Sequence, residues 1–299
     1  MSEPGSRYVL CRLKPPIDVS FTYSGGSMRT LAATVIVLAA ASPLHGQTDY
    51  YNTDAGRPIL IEDAYPVERY AFELQLAPVR LERERGGLYN WGFEPELAYG
   101  ILPRTQLEIG FPFHVVDASG PARQSGLAGI ELSVLHNLNV ETAGMPALAL
   151  AAEALLPVGR LAPGDAYVAA KGIATRTYQW ARFHLNARYT FGPEPPLPPE
   201  HVTGAREPTG DVSRWMAGVA VDRTFPLKAM LLAGSIYAHQ PIAEEEPLTW
   251  VAETGLRYQW NPVLAVDAGI AKRLTGETQP WSLTFGAAYV FAVRSLLPR

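Results

Sequence analysis

From about residue 68 onward the chain alternates apolar and polar side chains with a period of two. The runs are about ten to thirteen residues long and are separated by turn formers, the pattern of half-buried β-strands. Two are the plainest. In 183–191, Phe183, Leu185, Ala187, Tyr189 and Phe191 share one face, and His184, Asn186, Arg188 and Thr190 share the other. In 281–291, Leu283, Phe285, Ala287, Tyr289 and Phe291 oppose Ser282, Thr284, Gly286, Ala288 and Val290. The same rule predicts strands over 68–80, 89–100, 105–115, 126–139, 146–157, 166–178, 215–224, 229–239, 249–260 and 263–273. Pro95 falls on the apolar face of its run, where a missing N–H removes one ladder bond and predicts a bulge.

An apolar face that ends in aromatics suits a lipid interface better than a protein core. The connections agree. Links after the even-numbered runs are short, as at 225–228 and 261–262, while most links after the odd-numbered runs are longer and richer in Pro, Gly and charge. The longest, 192–214, carries prolines at 193, 195, 196, 198, 199 and 208 and cannot join a ladder. Short turns on one side, long loops on the other and an even strand count predict a twelve-stranded antiparallel transmembrane β-barrel over residues 68–291, with a short tail at 292–299 and both barrel termini in the periplasm. Such a barrel is roughly 20–25 Å across between backbones.

The N-terminal part has a different character. Met28-Arg29-Thr30, the apolar run 31–41 and the small residues before Gln47 read as a secretory signal peptide over 28–46, cleaved after Gly46 or, as a second choice, in the 40–42 region. The run is too short to span a bilayer, which needs roughly 20 apolar residues, so an N-terminal anchor helix is the lesser alternative. Residues 1–27 are expected to be a mis-called extension, with translation starting at Met28. Residues 47–67 lack clean alternation and hold Asn52, Asp54, Gly56 and Pro58. They form an irregular segment that either stays in the periplasm or tucks into the barrel mouth.

Composition narrows the class further. Charged residues make up 18% of 299 and mean hydropathy is zero, too polar for a helical membrane protein and low in charge for a soluble enzyme. Residues 1–46 hold four of the 25 Lys+Arg and two of the 29 Asp+Glu, which leaves 21 basic against 27 acidic and a net charge near −6. That balance offers no nucleic-acid footprint. The lone Cys11 excludes an intramolecular disulfide and any C-x-x-C site.

The polar faces supply the candidate lumen. The first five runs contribute Glu73, Glu94, Glu96, Glu108, Glu131 and Glu153, and later runs contribute Lys171, His184, Arg188, Glu253, Arg257, Asp222 and Asp267. An acidic wall facing a basic patch would orient polar or zwitterionic solutes. Alternatively, Glu–Arg pairs crosslink the lumen and keep it rigid or shut. Neutralising Arg188 and Arg257 is expected to shift ion selectivity towards cations if both line a pore. Chemistry is scarce. The histidines at 114, 136, 184, 201 and 239 show no H-x-x-x-H or H-E-x-x-H spacing, no G-x-S-x-G is present, and neither a catalytic residue, a metal nor a cofactor is expected. His184 beside Asn186 suggests comparison with outer-membrane phospholipase, but its neighbours turn it inward. Glu244-Glu245-Glu246 reads as a solvated acidic loop, with divalent-ion or lipopolysaccharide bridging as the alternative.

Two resemblances carry family information. Thr284, Gly286, Tyr289 and Phe291 resemble the C-terminal insertion-signal strand of bacterial outer-membrane barrels, which here is followed by eight more residues. Tyr99-Gly100-Ile101 with Arg104 and Leu107-Glu108-Ile109, then Gly129-Ile130-Glu131-Leu132, then Leu156-Pro157-Val158-Gly159, are similar to motifs of the outer-membrane transporter family labelled as the MetA pathway of phenol degradation. That resemblance spans about residues 60–291, and Ile130 departs from the Asp often found there. It implies a Gram-negative outer-membrane barrel that meets lipid, lipopolysaccharide and the barrel-insertion machinery, and takes up small solutes including aromatic or other hydrophobic compounds. The competing expectations are a closed structural or surface-interaction barrel and, more remotely, a lipid-acting enzyme.

Overall fold

The computed structural model describes residues 52–76, 79–83, 89–116, 123–194, 212–242, 247–275, 280–293 and 296. The expected extension, the signal peptide, the acidic loop at 244–246 and most of the proline-rich link and C-terminal tail lie outside the described residues. The described chain is all-β. Its ladder segments are β1 (Ala71–Gln75), β2 (Val79–Arg83), β3 (Tyr89–Phe93), β4 (Glu96–Leu102), β5 (Thr105–Gly110), β6 (Phe113–Val116), β7 (Gln124–Leu127), β8 (Ile130–Asn139), β9 (Ala147–Leu156), β10 (Tyr167–Thr177), β11 (Arg182–Phe191), β12 (Ser213–Thr224), β13 (Met230–Pro241), β14 (Thr249–Asn261), β15 (Leu264–Arg273) and β16 (Trp281–Ala292).

The first eight segments are four strands, each broken once. β1 and β2 lie end to end along β16, Ala71 opposite Ala292 and Val79 opposite Phe285. β4 then pairs with β1 and β3 with β2, and the same doubling carries through β5 with β6 and β7 with β8. Counted so, twelve antiparallel strands follow one another in chain order and close, the last against the first. The barrel is of the outer-membrane type, as the alternation predicts, and every predicted strand is present to within a few residues.

The breaks lie side by side: β1 ends at Gln75 and β2 begins at Val79, and the other three fall at 94–95, 111–112 and 128–129. Pro95 and Pro112 cannot donate to the ladder, and their carbonyls hold the seam instead: Phe111 N–H donates to Pro95 O at 3.0 Å and Ala128 N–H to Pro112 O at 2.7 Å. The bulge expected at Pro95 is thus one of four adjacent interruptions.

The two faces differ as period-two patterning requires. Leu107, Leu150, Leu185, Val219, Leu256, Ile270 and Phe285 point outward and are exposed. Aromatics flank this aliphatic band at both ends of the strands. Near the short turns, Phe72 stacks on Tyr99 at 4.3 Å and on Phe291 at 5.3 Å, while Trp180 meets Phe183 edge-on at 5.1 Å. Near the long loops stand Trp91, Tyr189, Phe191 and Trp250. Of the four signal-strand positions, Thr284 turns inward and is buried, Tyr289 is exposed, and Phe291 joins the aromatic stack.

Candidate functional site: the lumen and the segment inside it

Residues 52–67 run through the lumen, which decides the alternative that the sequence leaves open. The chain turns out of the lumen into β1 at Tyr70, whose φ of 69° is left-handed and whose N–H donates to Gly100 O at 2.7 Å. Upstream, the segment turns at 54–57 and folds back on itself, so that Asp63 N–H donates to the Thr53 carbonyl at 3.1 Å, and wall side chains take the place of a ladder to the barrel. Its amide groups donate to Gln106 from Val67 (2.6 Å), to Thr175 from Ala64 (3.0 Å), to Asn186 from Glu62 (3.0 Å) and to Glu253 from Leu60 (2.6 Å). In return, Asn137 and Asn186 donate to the Ala64 and Glu62 carbonyls. Buried backbone needs such partners, and here four different strands provide them.

Small inward residues leave the room. A Cβ on Gly255 would lie 2.5 Å from Pro58 Cβ, one on Gly218 would lie 2.7 Å from Ile61 Cδ1, and one on Gly269 would run into the Pro58 carbonyl. Ile59 and Ile61 pack with Met216, Ala220 and Ala233, and Ala64 packs with Leu135, Ala147, Ala149, Ala151 and Ile173. The apolar residues of 52–67 therefore bury against the wall of the short-turn half of the barrel.

The charged lumen candidates fall into four groups. Arg57, fully buried, reaches Asp54 at 2.6 Å, Glu73 at 3.3 Å and Asp267 at 3.5 Å. Arg257 joins them through Asp54 at 2.9 Å and also donates to the Asn52 carbonyl. Lys171 bridges Glu62 and Glu153, both at 2.7 Å, and Arg188 meets the other Glu153 oxygen at 2.9 Å. Asp222 receives Arg182 at 2.7 Å and His184 at 2.9 Å; the second ring nitrogen of His184 lies 3.0 Å from Thr175 Oγ1, and Arg182 stands 3.5 Å from Asp63. The fourth group is acidic. Glu94 lies 3.5 Å from His114, Glu108 accepts from Gln106 and Ser133, and Glu96 and Glu131 have no ion-pair partner among the described residues. Glu253, apart from these, also accepts from Ser235 at 2.8 Å.

Sequence reasoning places these side chains inward but not in their groups, because each of the first three groups includes a partner from 52–67. Arg257, expected on the pore wall, is buried beneath the segment. Arg182, Gln106 and Asn137 are missed; their signal is a polar residue on the inward phase near a short turn. Within the segment, Asp54 titrates below the ordinary carboxylate value: burial opposes this, but Arg257 and Arg57 outweigh it. Burial dominates at Asp63 and pushes its carboxyl up to about 6 against the pull of Arg182 and His184. Glu62 is raised too, by burial opposed by Lys171.

Beside the segment remains a cavity of about 360 Å³. Asp54, Pro58, Leu60 and Glu62 line it from the segment; Glu94, Glu96, Glu108, Glu131 and Glu153 line the wall, with Lys171 and Arg188 next to Glu153 on the two following strands. Towards the long loops it meets Arg80, Glu82, His114, His239, Arg273 and Trp281. Nine carboxylates and four Lys or Arg line it in all.

No protein-family model matches the sequence, and no curated protein matches it. Solved structures do. The COG4313 outer membrane channel from Pseudomonas putida F1 superposes with a TM-score of 0.53 at 13% identity, over 80% of this chain and all (100%) of that one. What the two share is the fold. KdgM porin in complex with disordered oligogalacturonate gives a TM-score of 0.49 at 8% identity over 73% of this chain and 98% of its own, and outer membrane phospholipase A from Escherichia coli gives 0.41 at 10% over 82% and 98%.

Proposed function

We propose that this chain is an outer-membrane channel for small solutes, selective for cations and for zwitterions that present a cationic group to the acidic wall. The observation that carries it is the pairing of two surfaces: a lipid-type exterior with aromatic belts, and an interior cavity whose Glu96 and Glu131 carboxylates face open space. In this reading the signal peptide exports the chain, the strand ending at Phe291 addresses the insertion machinery, lipopolysaccharide meets the outer belt, and both barrel termini are periplasmic. The motif resemblance to the phenol-degradation transporter family extends the solute range to small aromatics that carry such a group. Refolded protein in planar bilayers tests the reading. Discrete conductance steps with cation-biased reversal potentials are the expected result. Silence from protein whose folding is verified by heat-modifiable gel migration overturns it.

The filled short-turn half of the lumen favours a second reading, a closed structural barrel, and the same recording decides between them. A lipid-acting enzyme gains little support from His184. That ring is buried in the lumen between Asp222 and Thr175, and the Thr175 hydroxyl is itself buried and taken up by the Ala64 amide.

A further inference from the structure

We infer that residues 52–67 are a displaceable gate, and that the lumen wall is a pocket built to bind this one folded segment and release it. The inference builds on the channel reading and adds to it the element that opens and closes the path.

The wall beneath the segment is the first reason. Where a segment is a permanent part of a core, apolar residues hold it as well as buried ion pairs do, or better. Here polar side chains share the covered wall with the apolar patches under Ile59, Ile61 and Ala64: Gln75, Thr175, Asn186, Asp222, Arg257 and Asp267 are all buried beneath or beside the segment. These are side chains that water solvates once the segment leaves. A wall that is sometimes wet has reason to keep them; a wall that is always dry does not.

The mode of attachment is the second. The segment makes no ladder with any strand among the described residues; the only bridges outside the strands are Asp54 with Arg57 and Arg69 with Gly100. Apart from the amides of Arg57 and Asp63, which bond within the segment, its bonds to the wall run through side chains, and those side chains can turn to water. Its covalent link to the barrel enters at Tyr70, a left-handed residue immediately before β1, which makes a natural pivot.

The third is specificity. Pro58 sits over Gly255 and Gly269, and Ile61 over Gly218, at positions where any other residue would collide. At one end, Arg57 and Arg257 tie Asp54 to Glu73 and Asp267; at the other, Gln106 and Asn137 hold Val67 and Ala64. The pocket matches the sequence that fills it.

Two full-length variants test the gate. One carries Pro58→Cys and Gly255→Cys with Cys11→Ser; a disulfide there needs the segment to back off by about an ångström and the Ala268 carbonyl, 2.8 Å from the new Cβ, to give slightly. The other replaces residues 52–67 with a Gly/Ser run of the same length. Oxidised tethered protein is expected to lose at least nine-tenths of its open time in single-channel recordings and to regain it on reduction. The Gly/Ser variant is expected to stay open, and a synthetic peptide of residues 52–67, but not its scrambled form, is expected to block it. If tethered and reduced protein conduct alike, or if the native and scrambled peptides act alike, the gate is overturned while the channel reading stands. If the Gly/Ser variant is folded by heat-modifiable migration yet silent, the channel reading itself fails. Should the Gly/Ser variant not fold, the redox comparison on the tethered protein still decides, since both of its states are the same polypeptide.

Discussion

Replacing Arg57 with Ala isolates what keeps the segment seated. Two guanidinium groups, Arg57 and Arg257, serve three carboxylates: Asp54 on the segment, and Glu73 and Asp267 on the wall. In Arg57→Ala one cation is left for the three. Removing one partner of a buried ion pair costs about 3–5 kcal/mol, because the remaining charges stay buried and uncompensated. That cost falls mainly on the seated state. Once the segment leaves, Asp54 departs with it, and Glu73 and Asp267 face water. Taking the lower figure, about 3 kcal/mol shifts the ratio of seated to released segment by roughly two powers of ten. Open probability in single-channel recordings at constant pH reads this ratio directly, with heat-modifiable migration confirming an intact barrel. Arg57→Lys, which keeps the charge but not the forked reach to three partners, should fall between wild type and Arg57→Ala. Combining Arg57→Ala with Glu73→Gln removes a charge of each sign and should recover part of the loss, with a coupling of at least about 0.5 kcal/mol. The reasoning is refuted if Arg57→Ala leaves open probability unchanged in a folded barrel, or if the two substitutions simply add.

Three further outcomes follow from other parts of the molecule. Leu185→Arg, in the middle of β11 on the outer face, should destabilise the barrel in bilayers by about 2–4 kcal/mol; a change within about 0.5 kcal/mol, ordinary for an exposed site on a soluble protein, would place that face in water. Glu96→Gln with Glu131→Gln should move the reversal potential away from cation preference, and Arg188→Gln should move it the opposite way by removing a cation from the lining and leaving Glu153 to Lys171 alone; unchanged potentials in both would mean that the cavity is not on the conduction path. The pH dependence has a definite sign. Seated, Asp63 holds its proton up to about 6, whereas a free aspartate releases it near about 3.9. Seating therefore strengthens as pH falls through 6, and above 6 the full cost of burying the charge is carried. Open probability should drop between pH 7 and pH 5, and Asp63→Asn should flatten that part of the curve; an unaltered slope would assign the titration to other groups.

The strands were legible because their signal is local. A period of two needs only a few residues to declare itself, and β11 and β16 declare both faces in one reading. Loop parity then set the strand count, and closure followed from it. The breaks were half legible: Pro95 announces its own, and Pro112 could have announced the next, but the alignment of four interruptions along neighbouring strands depends on register, which no single run encodes. The lumen divides the same way. That Glu73, Lys171, His184 and Asp267 point inward is written in their phase. That Glu73 and Asp267 wait for Arg57, and Lys171 for Glu62, is not, because their partners lie on a stretch without periodicity and are brought to them through space rather than along a strand. Two residual signals were there to be used. Ile59-Leu60-Ile61 between charged residues is too apolar for a free tail and too short for a strand of the barrel. Gly218, Gly255 and Gly269 on the inward phase leave hollows in a wall that otherwise carries side chains. A greasy segment with nowhere to go and a wall with spaces to fill imply one another, and together they explain why a chain patterned as a transmembrane barrel folds with its own N-terminal stretch inside.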